Sequence, residues 1–497
     1  MHESGINMPP TTGRWMEQIS QRIIQETIAV ALKLFCGVVV WSVCLGFVFR
    51  GTWSSFLPLT LAVPAAIFLW YSRAVRERLM AEIERTSVMW LFVVGLALRV
   101  AWAVSSGWQP ISDGLDYDRM AMNILNGQWG LDTYKPIGTS YFLALHYAIF
   151  GHLYVPPMMS QSLLSALQIP LVYSIVLRAS SDRRAALMAA ALLTFCLEHL
   201  LYVDVLGSDT LFSVLVLAAV WLASQKQEAS FGCQFIAGGL LGLSQWVRPT
   251  APIFLAAMAI GMLARTGQPI AFSRRLLSVA FVMAGAVVPM GAIVALNLST
   301  LGVPSLSPSQ MGGASMMIGT NIATAGTWSA EDASLYHDEI CQKEVPAGVA
   351  PAIYRNQLTK EVALKRIAAD PIAFTAIALS RKMQSLWGEP AALSWPLSTP
   401  RIVRLFKYQW IAAGANFQYA VCALLMVSAA LRVKSVVVGR DPALIGLLVA
   451  ALGSTLAHAF LEVQSRYHFA FVPFMAMVLA IGCCKHPSSP TDVDPNR

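Results

Sequence analysis

The sequence predicts an all-α polytopic membrane protein of about 12 transmembrane helices, on three observations. The chain is 56% hydrophobic and only 12% charged, about half the charge of an ordinary globular protein. Apolar runs close to the roughly 20 residues that a span needs recur from Thr27 to Gly482. The short loops between them alternate between arginine-rich and arginine-poor, as loops on the two sides of a membrane do. The formal charge of +8 is therefore a topological signal and does not point to nucleic acid.

The apolar runs lie at roughly 27–49, 56–71, 88–105, 158–177, 185–203, 210–224, 232–247, 249–264, 275–296, 410–431, 442–461 and 467–484. With the N-terminus inside, one group of loops is cytoplasmic. It carries Arg73, Arg76, Arg78 and Arg85, then Arg178, Arg183 and Arg184, then Arg265, Arg274 and Arg275, then Arg432, Lys434 and Arg440. The 105–157 loop, the 204–209 turn, the 297–409 segment and the 462–466 turn then share the outer face. The expected organisation is a tail and extra hairpin (1–87), a membrane core (88–296), an outer domain (297–409), C-terminal helices (410–484) and a cytoplasmic tail (485–497). The N-terminus does not read as a cleavable signal, because about 26 polar residues precede a run longer than a signal core and no A-x-A site follows.

Seven of the eight cysteines fall in or beside apolar runs, which leaves Cys341 without a disulfide partner on the outer side. There is no CxxC pair or His/Cys cluster with zinc spacing. Neither a metal nor a cofactor is expected from the residues.

The outer segments carry their own helical patterns. In the first loop Asp113, Asp116 and Asp118 fall within six residues, and Lys135 precedes a proline. Tyr117, Met120, Ala121, Ile124 and Leu125 recur as on one face of a helix, with Asp116 placed to cap it and Gly127 to end it. Thr139 to Phe150 would cover about 18 Å as a helix. That is too short to span, so it should lie along the membrane surface, with plain packing under a loop as the simpler reading. In the 297–409 segment Pro351 opens a helix marked by Tyr354, Leu358 and Val362, and another begins at Pro371. Met311 to Gly326 reads as a mobile loop, since neither GxxxxGK nor GxGxxG is present.

Charges inside apolar runs call for a role. Lys33 can snorkel and needs no role, whereas Arg99, about eight residues below the outer edge, either snorkels or supports the site, as Glu198, His199 and Asp209 are expected to do. Glu198 and His199 lie at a similar depth, and Glu198 should face the interior to pair with Arg99, Arg248 or His199. At the outer boundary stand Asp204, Asp209, Arg248 before Pro249, Glu462, and Arg466 with Tyr467, all on the face of Asp113. Cations beside carboxylates at headgroup level suit an anionic lipid head and a neutral nucleophile. If the anion is the phosphate of a lipid-linked sugar, it is already a good leaving group, with a second pKa near 6. One carboxylate then takes the proton of the attacking hydroxyl, and cations hold the charge growing on the phosphate.

The run SDGLDYDRMAMNILNG, followed by KPIGTSYFLALHYAIFG, resembles the first periplasmic loop of GT-C glycosyltransferases of the protein O-mannosyltransferase and lipid A aminoarabinose transferase type. GSDTLF, GLSQWVRPTAPIF, ADPIAFTAIALSRKMQSLWGE and QSRYHFAFVPF are similar to later segments of that family, in its order, over residues 88–484. The resemblance implies inverting transfer of a sugar from a polyprenyl phosphate to a lipid, polysaccharide or protein acceptor. The site would lie on the periplasmic side of a bacterial inner membrane and use no nucleotide sugar and, usually, no metal. It implies Asp113 as the catalytic carboxylate, with Asp116 as the alternative register. It places Lys135, Arg248 and Arg466, with Tyr467 beside it, near the donor phosphate, and Asp209 at the acidic start of a span. Gly114 stands where many relatives have glutamate, and the Thr27–Tyr71 hairpin precedes the family core.

Two other classes compete. A polymerase or ligase of lipid-linked glycans would also be polytopic, with basic residues and histidine in its late outer loop, where His337 is the only histidine here. A transporter of lipid-linked substrates would place charges near the midplane in two matching halves, and no half-to-half repeat is visible.

Overall fold

The computed structural model describes residues 10–49, 53–128, 135–225, 231–266, 271–398, 408–433 and 435–484; Lys434 lies outside them. Among the described residues every regular element is helical. In chain order these are α1 (Pro10–Phe49), α2 (Trp53–Tyr71), α3 (Arg73–Arg85), α4 (Val88–Ser106), α5 (Asp113–Leu125), α6 (Gly138–Phe150), α7 (Val155–Ser180), α8 (Arg183–Thr194) and α9 (Leu197–Leu201). There follow α10 (Asp209–Ala223), α11 (Phe231–Val247), α12 (Ala251–Ala264), α13 (Phe272–Leu301), α14 (Gly312–Gly319), α15 (Ala330–Ser334), α16 (Pro351–Ala369), α17 (Pro371–Leu379) and α18 (Arg381–Trp387). The last are α19 (Tyr408–Arg432), α20 (Ser435–Arg440), α21 (Pro442–Phe460) and α22 (Val472–Cys483).

Among the described residues seven helices are long and apolar enough to cross a membrane, and α8 with the helix that follows it, bent by 49°, would make an eighth. They make the chain an integral membrane protein. Three of the remaining apolar runs form the shorter helices α10, α11 and α12, of 15, 17 and 14 residues. The 232–264 stretch splits at Arg248 into α11 and α12, and α12 with its 14 residues covers about 21 Å of a hydrocarbon core about 30 Å thick. The count of twelve came from apolar length alone, which does not see where a helix breaks.

Small residues set the packing, as in membranes generally, where apolar contact alone does not drive helices together. A Cβ on Gly238 of α11 would lie 1.8 Å from the Val282 carbonyl oxygen of α13, and one on Gly285 of α13 would lie 1.9 Å from that of Phe235. The two backbones touch there, and only glycine permits it. A Cβ on Gly261 would likewise meet the Pro442 carbonyl at 2.5 Å, which seats α12 on α21.

The basic loops converge at one end of the bundle. Arg183 donates to the Glu84 carbonyl at 3.0 Å, Arg178 faces Asp441 at 3.7 Å and Arg265 donates to the Arg440 carbonyl at 3.1 Å. The helix α4 carries the chain about 28 Å away from that end, to the loop that holds Asp113.

At the far end α5 and α6 pack together over Trp108, Tyr202 and Val203. Tyr117, Met120, Ala121 and Ile124 are buried as their spacing predicts, whereas Leu125 is exposed. The expected cap at Asp116 is corrected: Ser112, at φ 48°, precedes a helix whose first residue is Asp113, and Asp116 lies inside its first turn. The stretch from Met311, expected to be a mobile loop, contains α14. A Cβ on Gly313 would sit 2.1 Å from the Asn356 carbonyl and one on Gly319 2.2 Å from the Leu461 carbonyl carbon. These glycines serve close backbone contact, which composition alone presented as looseness.

Candidate active site

Asp113 sits at the start of α5 with a different cation on each carboxylate oxygen. Lys135 Nζ lies 2.6 Å from Oδ1, and Arg466 donates to Oδ2 at 2.7 Å. Burial alone would raise the Asp113 carboxyl. The guanidinium of Arg466 and the ammonium of Lys135 outweigh it and hold the group well below the usual carboxylate range. It is therefore ionised at neutral pH. The neighbouring Gly114 is buried, and a Cβ there would lie 3.0 Å from the Trp108 ring. A glycine at this position thus fits a tight contact in this chain.

Arg466 is held from three sides. Its Nε donates to Gln464 Oε1 at 2.8 Å, Gln464 donates to Glu462 at 2.6 Å, and the Trp395 ring lies under the guanidinium at 4.2 Å. Trp108 donates to the Trp395 carbonyl at 2.9 Å, which ties that ring to the first loop. The Glu462 amide donates to the Ser315 carbonyl at 2.7 Å, which joins this segment to α14. Beneath the joint the buried Lys382 Nζ donates to the carbonyls of Gly319 at 2.5 Å and Leu461 at 2.8 Å.

Tyr467 lies between two cations, 5.5 Å from both the Arg466 and the Arg248 guanidinium. Arg248 pairs with Asp209 and donates to Ser208 Oγ at 2.9 Å. Ser208 also bonds the Tyr117 side chain, on the helix that starts at Asp113. The predicted residues Asp113, Lys135, Arg248, Arg466, Tyr467 and Asp209 thus form one connected group. Asp116 is near them and pairs with Arg119 at 3.0 Å.

Asp113, Asp116, Lys135, Arg466 and Tyr467 line a cavity of ≈ 550 Å³, together with Met311, Ser315, Ile318, Thr327, Trp328, Trp395, Glu462 and Gln464. Three segments distant in sequence build it. Nothing in the spacing of the sequence pointed to Trp395, Trp328 or Gln464, although Gln464 opens the QSRY run.

Three expected participants lie elsewhere. Arg99 is buried and donates to the carbonyls of Gly95, Thr194 and Leu193 and to Ser165, so it braces the break after α8. Glu198 meets none of its three expected partners and contacts His468 at 3.2 Å. His199 stacks on Phe469 at 4.1 Å. All three are enclosed by protein away from the cavity lining. Among the described residues no three His, Cys, Asp or Glu side chains gather as metal ligands.

Residues 134–292 match the sequence profile of the dolichyl-phosphate-mannose-protein mannosyltransferase family. The match includes Lys135, Asp209 and Arg248 and stops short of Asp113 and Arg466. No curated protein sequence matches the chain significantly. Among solved structures, the chain is similar to the archaeal oligosaccharyltransferase AglB from Archaeoglobus fulgidus, in complex with an inhibitory peptide and a dolichol-phosphate. The two are 14% identical with a TM-score of 0.47, over 80% of this chain and 50% of that one. It is also similar to ArnT from Cupriavidus metallidurans bound to undecaprenyl phosphate, at 12% identity and a TM-score of 0.35, over 80% and 78% of the two chains. The chain thus spans about half the length of the archaeal enzyme it matches.

Proposed function

We propose that this chain is an integral-membrane glycosyltransferase that moves a sugar from a polyprenyl-phosphate donor to an acceptor outside the cytoplasm, with inversion at the anomeric carbon. The observation that carries this reading is the carboxylate of Asp113 held by Lys135 and Arg466 at the wall of a large cavity. A base that is itself salt-bridged is a weak one. The donor phosphate competes for the same two cations, and as it takes them the Asp113 carboxylate is released to accept a proton. The acceptor hydroxyl then gives its proton to Asp113, and its oxygen attacks the anomeric carbon from the side opposite the phosphate. The bond from that carbon to the phosphate oxygen breaks, and the electron pair leaves with polyprenyl phosphate, whose charge Arg466 and Lys135 hold. A single displacement inverts the centre. The two cations do the electrostatic work on the phosphate, so the scheme uses neither nucleotide sugar nor metal.

In this reading the arginine-rich end faces the cytoplasm with both termini, and the cavity faces the periplasm of a bacterial inner membrane. The α5 and α6 pair then lies at the membrane surface and the 297–409 segment covers the acceptor side. The test is reconstitution of the full chain in proteoliposomes with polyprenyl-phosphate-linked sugars and an envelope-glycan extract as acceptor. Sugar transfer accompanied by free polyprenyl phosphate is expected. Donor that remains intact with every acceptor fraction overturns the proposal.

A further inference from the structure

The segment that carries Arg466 and Tyr467 is gripped on both sides by one short helix, α18. Ahead of them, Lys382 Nζ donates to the Leu461 carbonyl at 2.8 Å. Behind them, His468 Nδ1 donates to the Leu386 carbonyl at 2.6 Å, since a carbonyl can only accept. Lys382 and Leu386 are one helical turn apart and share a side of α18. Lys382 also reaches the Gly319 carbonyl, at the end of α14, at 2.5 Å. Gly326 comes so near that a Cβ there would lie 2.9 Å from Nζ. Two backbone bonds close the same junction: the Glu462 amide donates to the Ser315 carbonyl at 2.7 Å and the Val463 amide to that of Gly326 at 3.0 Å. The helix is itself anchored, because Trp387 donates to Thr455 at 3.1 Å and its carbonyl accepts from Tyr419 at 2.8 Å.

Lys382 is fully buried and does not line the cavity. Burial pulls its ammonium down to about 7, against the opposing pull of the Glu462 carboxylate, so enclosing it is costly. For cohesion alone, an apolar side chain of similar volume often serves as well as a buried charge. The ammonium adds direction, since donors on a single atom draw two carbonyls from distant segments to one point. Order passes from there along the chain: Gln464 donates to Glu462 at 2.6 Å, and Arg466 donates to Gln464 at 2.8 Å and to Asp113 at 2.7 Å. We propose that Lys382 is a positioning residue for donor binding: by fixing Leu461 against Gly319 it sets where the Arg466 guanidinium lies in the cavity, without touching the substrate. This rests on the phosphate role given to Arg466 above.

The test is titration of a fluorescent polyprenyl phosphate into the detergent-solubilised full chain, with thermal unfolding alongside. Lys382→Met, which keeps the bulk and removes every donor, should weaken binding about tenfold or more. Lys382→Gln, whose amide still offers two N–H donors, should recover part of that loss. A packing role alone ranks the two the other way, because an apolar side chain suits a buried site better than an amide, and that order overturns the inference. Lys382→Met added to Arg466→Ala should weaken binding little beyond Arg466→Ala alone, since the group being positioned is gone. Unchanged binding in folded Lys382→Met, or losses that add in the double variant, overturns the inference. If Lys382→Met does not fold, Lys382→Gln decides by the same two comparisons, with wild type and on the Arg466→Ala background. A wild type that does not bind the lipid, or an Arg466→Ala that binds it equally well, overturns the phosphate role of Arg466 and this inference with it. The other contrary outcomes overturn this inference alone.

Discussion

Arg466 donates to Asp113 at 2.7 Å across 353 positions of sequence, and Tyr467, the next residue, lies 5.5 Å from the guanidinium of Arg248. One short segment therefore connects the loop after α4 to the cation that begins the break between α11 and α12. The pair also sets the protonation state of Asp113, and most of what can be tested follows from that.

Arg466→Ala should weaken binding of polyprenyl phosphate by roughly ten- to a hundredfold, the range for a lost hydrogen bond to a charged group. Arg466→Lys, which keeps the charge and loses the fork, should restore part of it. Titration of a fluorescent polyprenyl phosphate into detergent-solubilised variants measures both.

The pH dependence has a definite sign. The Asp113 carboxyl is depressed in the folded chain, so its stabilising contribution is present above the unfolded value near 4 and is lost as pH falls through the lower folded value. Thermal unfolding of the wild type should show no loss from Asp113 between about pH 8 and pH 5. In Lys135→Met the acid limb should move to higher pH, because one of the two cations opposing burial is gone. An unshifted limb contradicts the assigned pairing.

Arg248→Ala should act differently from Arg466→Ala. Asp209 is almost wholly buried under Arg248, and breaking such a pair costs about 3–5 kcal/mol. The variant should lose thermal stability, and adding Asp209→Asn should recover much of it. A stable Arg248→Ala chain would mean that the pair contributes little to the fold.

Chelation should leave transfer unchanged, because two side-chain cations hold the leaving phosphate in the proposed scheme. Activity lost with EDTA and regained with a divalent ion would contradict it.

Much of this arrangement was legible beforehand, for a physical reason. Charges are so costly in an apolar chain that those remaining at the ends of the apolar runs tend to gather, and Asp113, Lys135, Arg248 and Arg466 do. Partners inside the protein were not legible: Glu198 contacts His468 and Arg99 turns to backbone carbonyls, choices made by local geometry that no spacing encodes. The helix at Gly312 was hidden for a similar reason, since glycines that permit backbone contact look the same in sequence as glycines of a loose loop. Trp395 gave no signal because its role is to lie under a guanidinium 71 positions away, and aromatic residues are common throughout the chain.

The central claim, that Asp113 takes the acceptor proton, is tested most directly by single-turnover transfer from a polyprenyl-phosphate sugar in proteoliposomes of Asp113→Asn, with Asp116→Asn alongside. The account predicts that Asp113→Asn slows transfer at least about a hundredfold, the usual contribution of a positioned base, with donor still bound, while Asp116→Asn keeps most of the rate. Transfer that persists near the wild-type rate in Asp113→Asn and disappears in Asp116→Asn would contradict it.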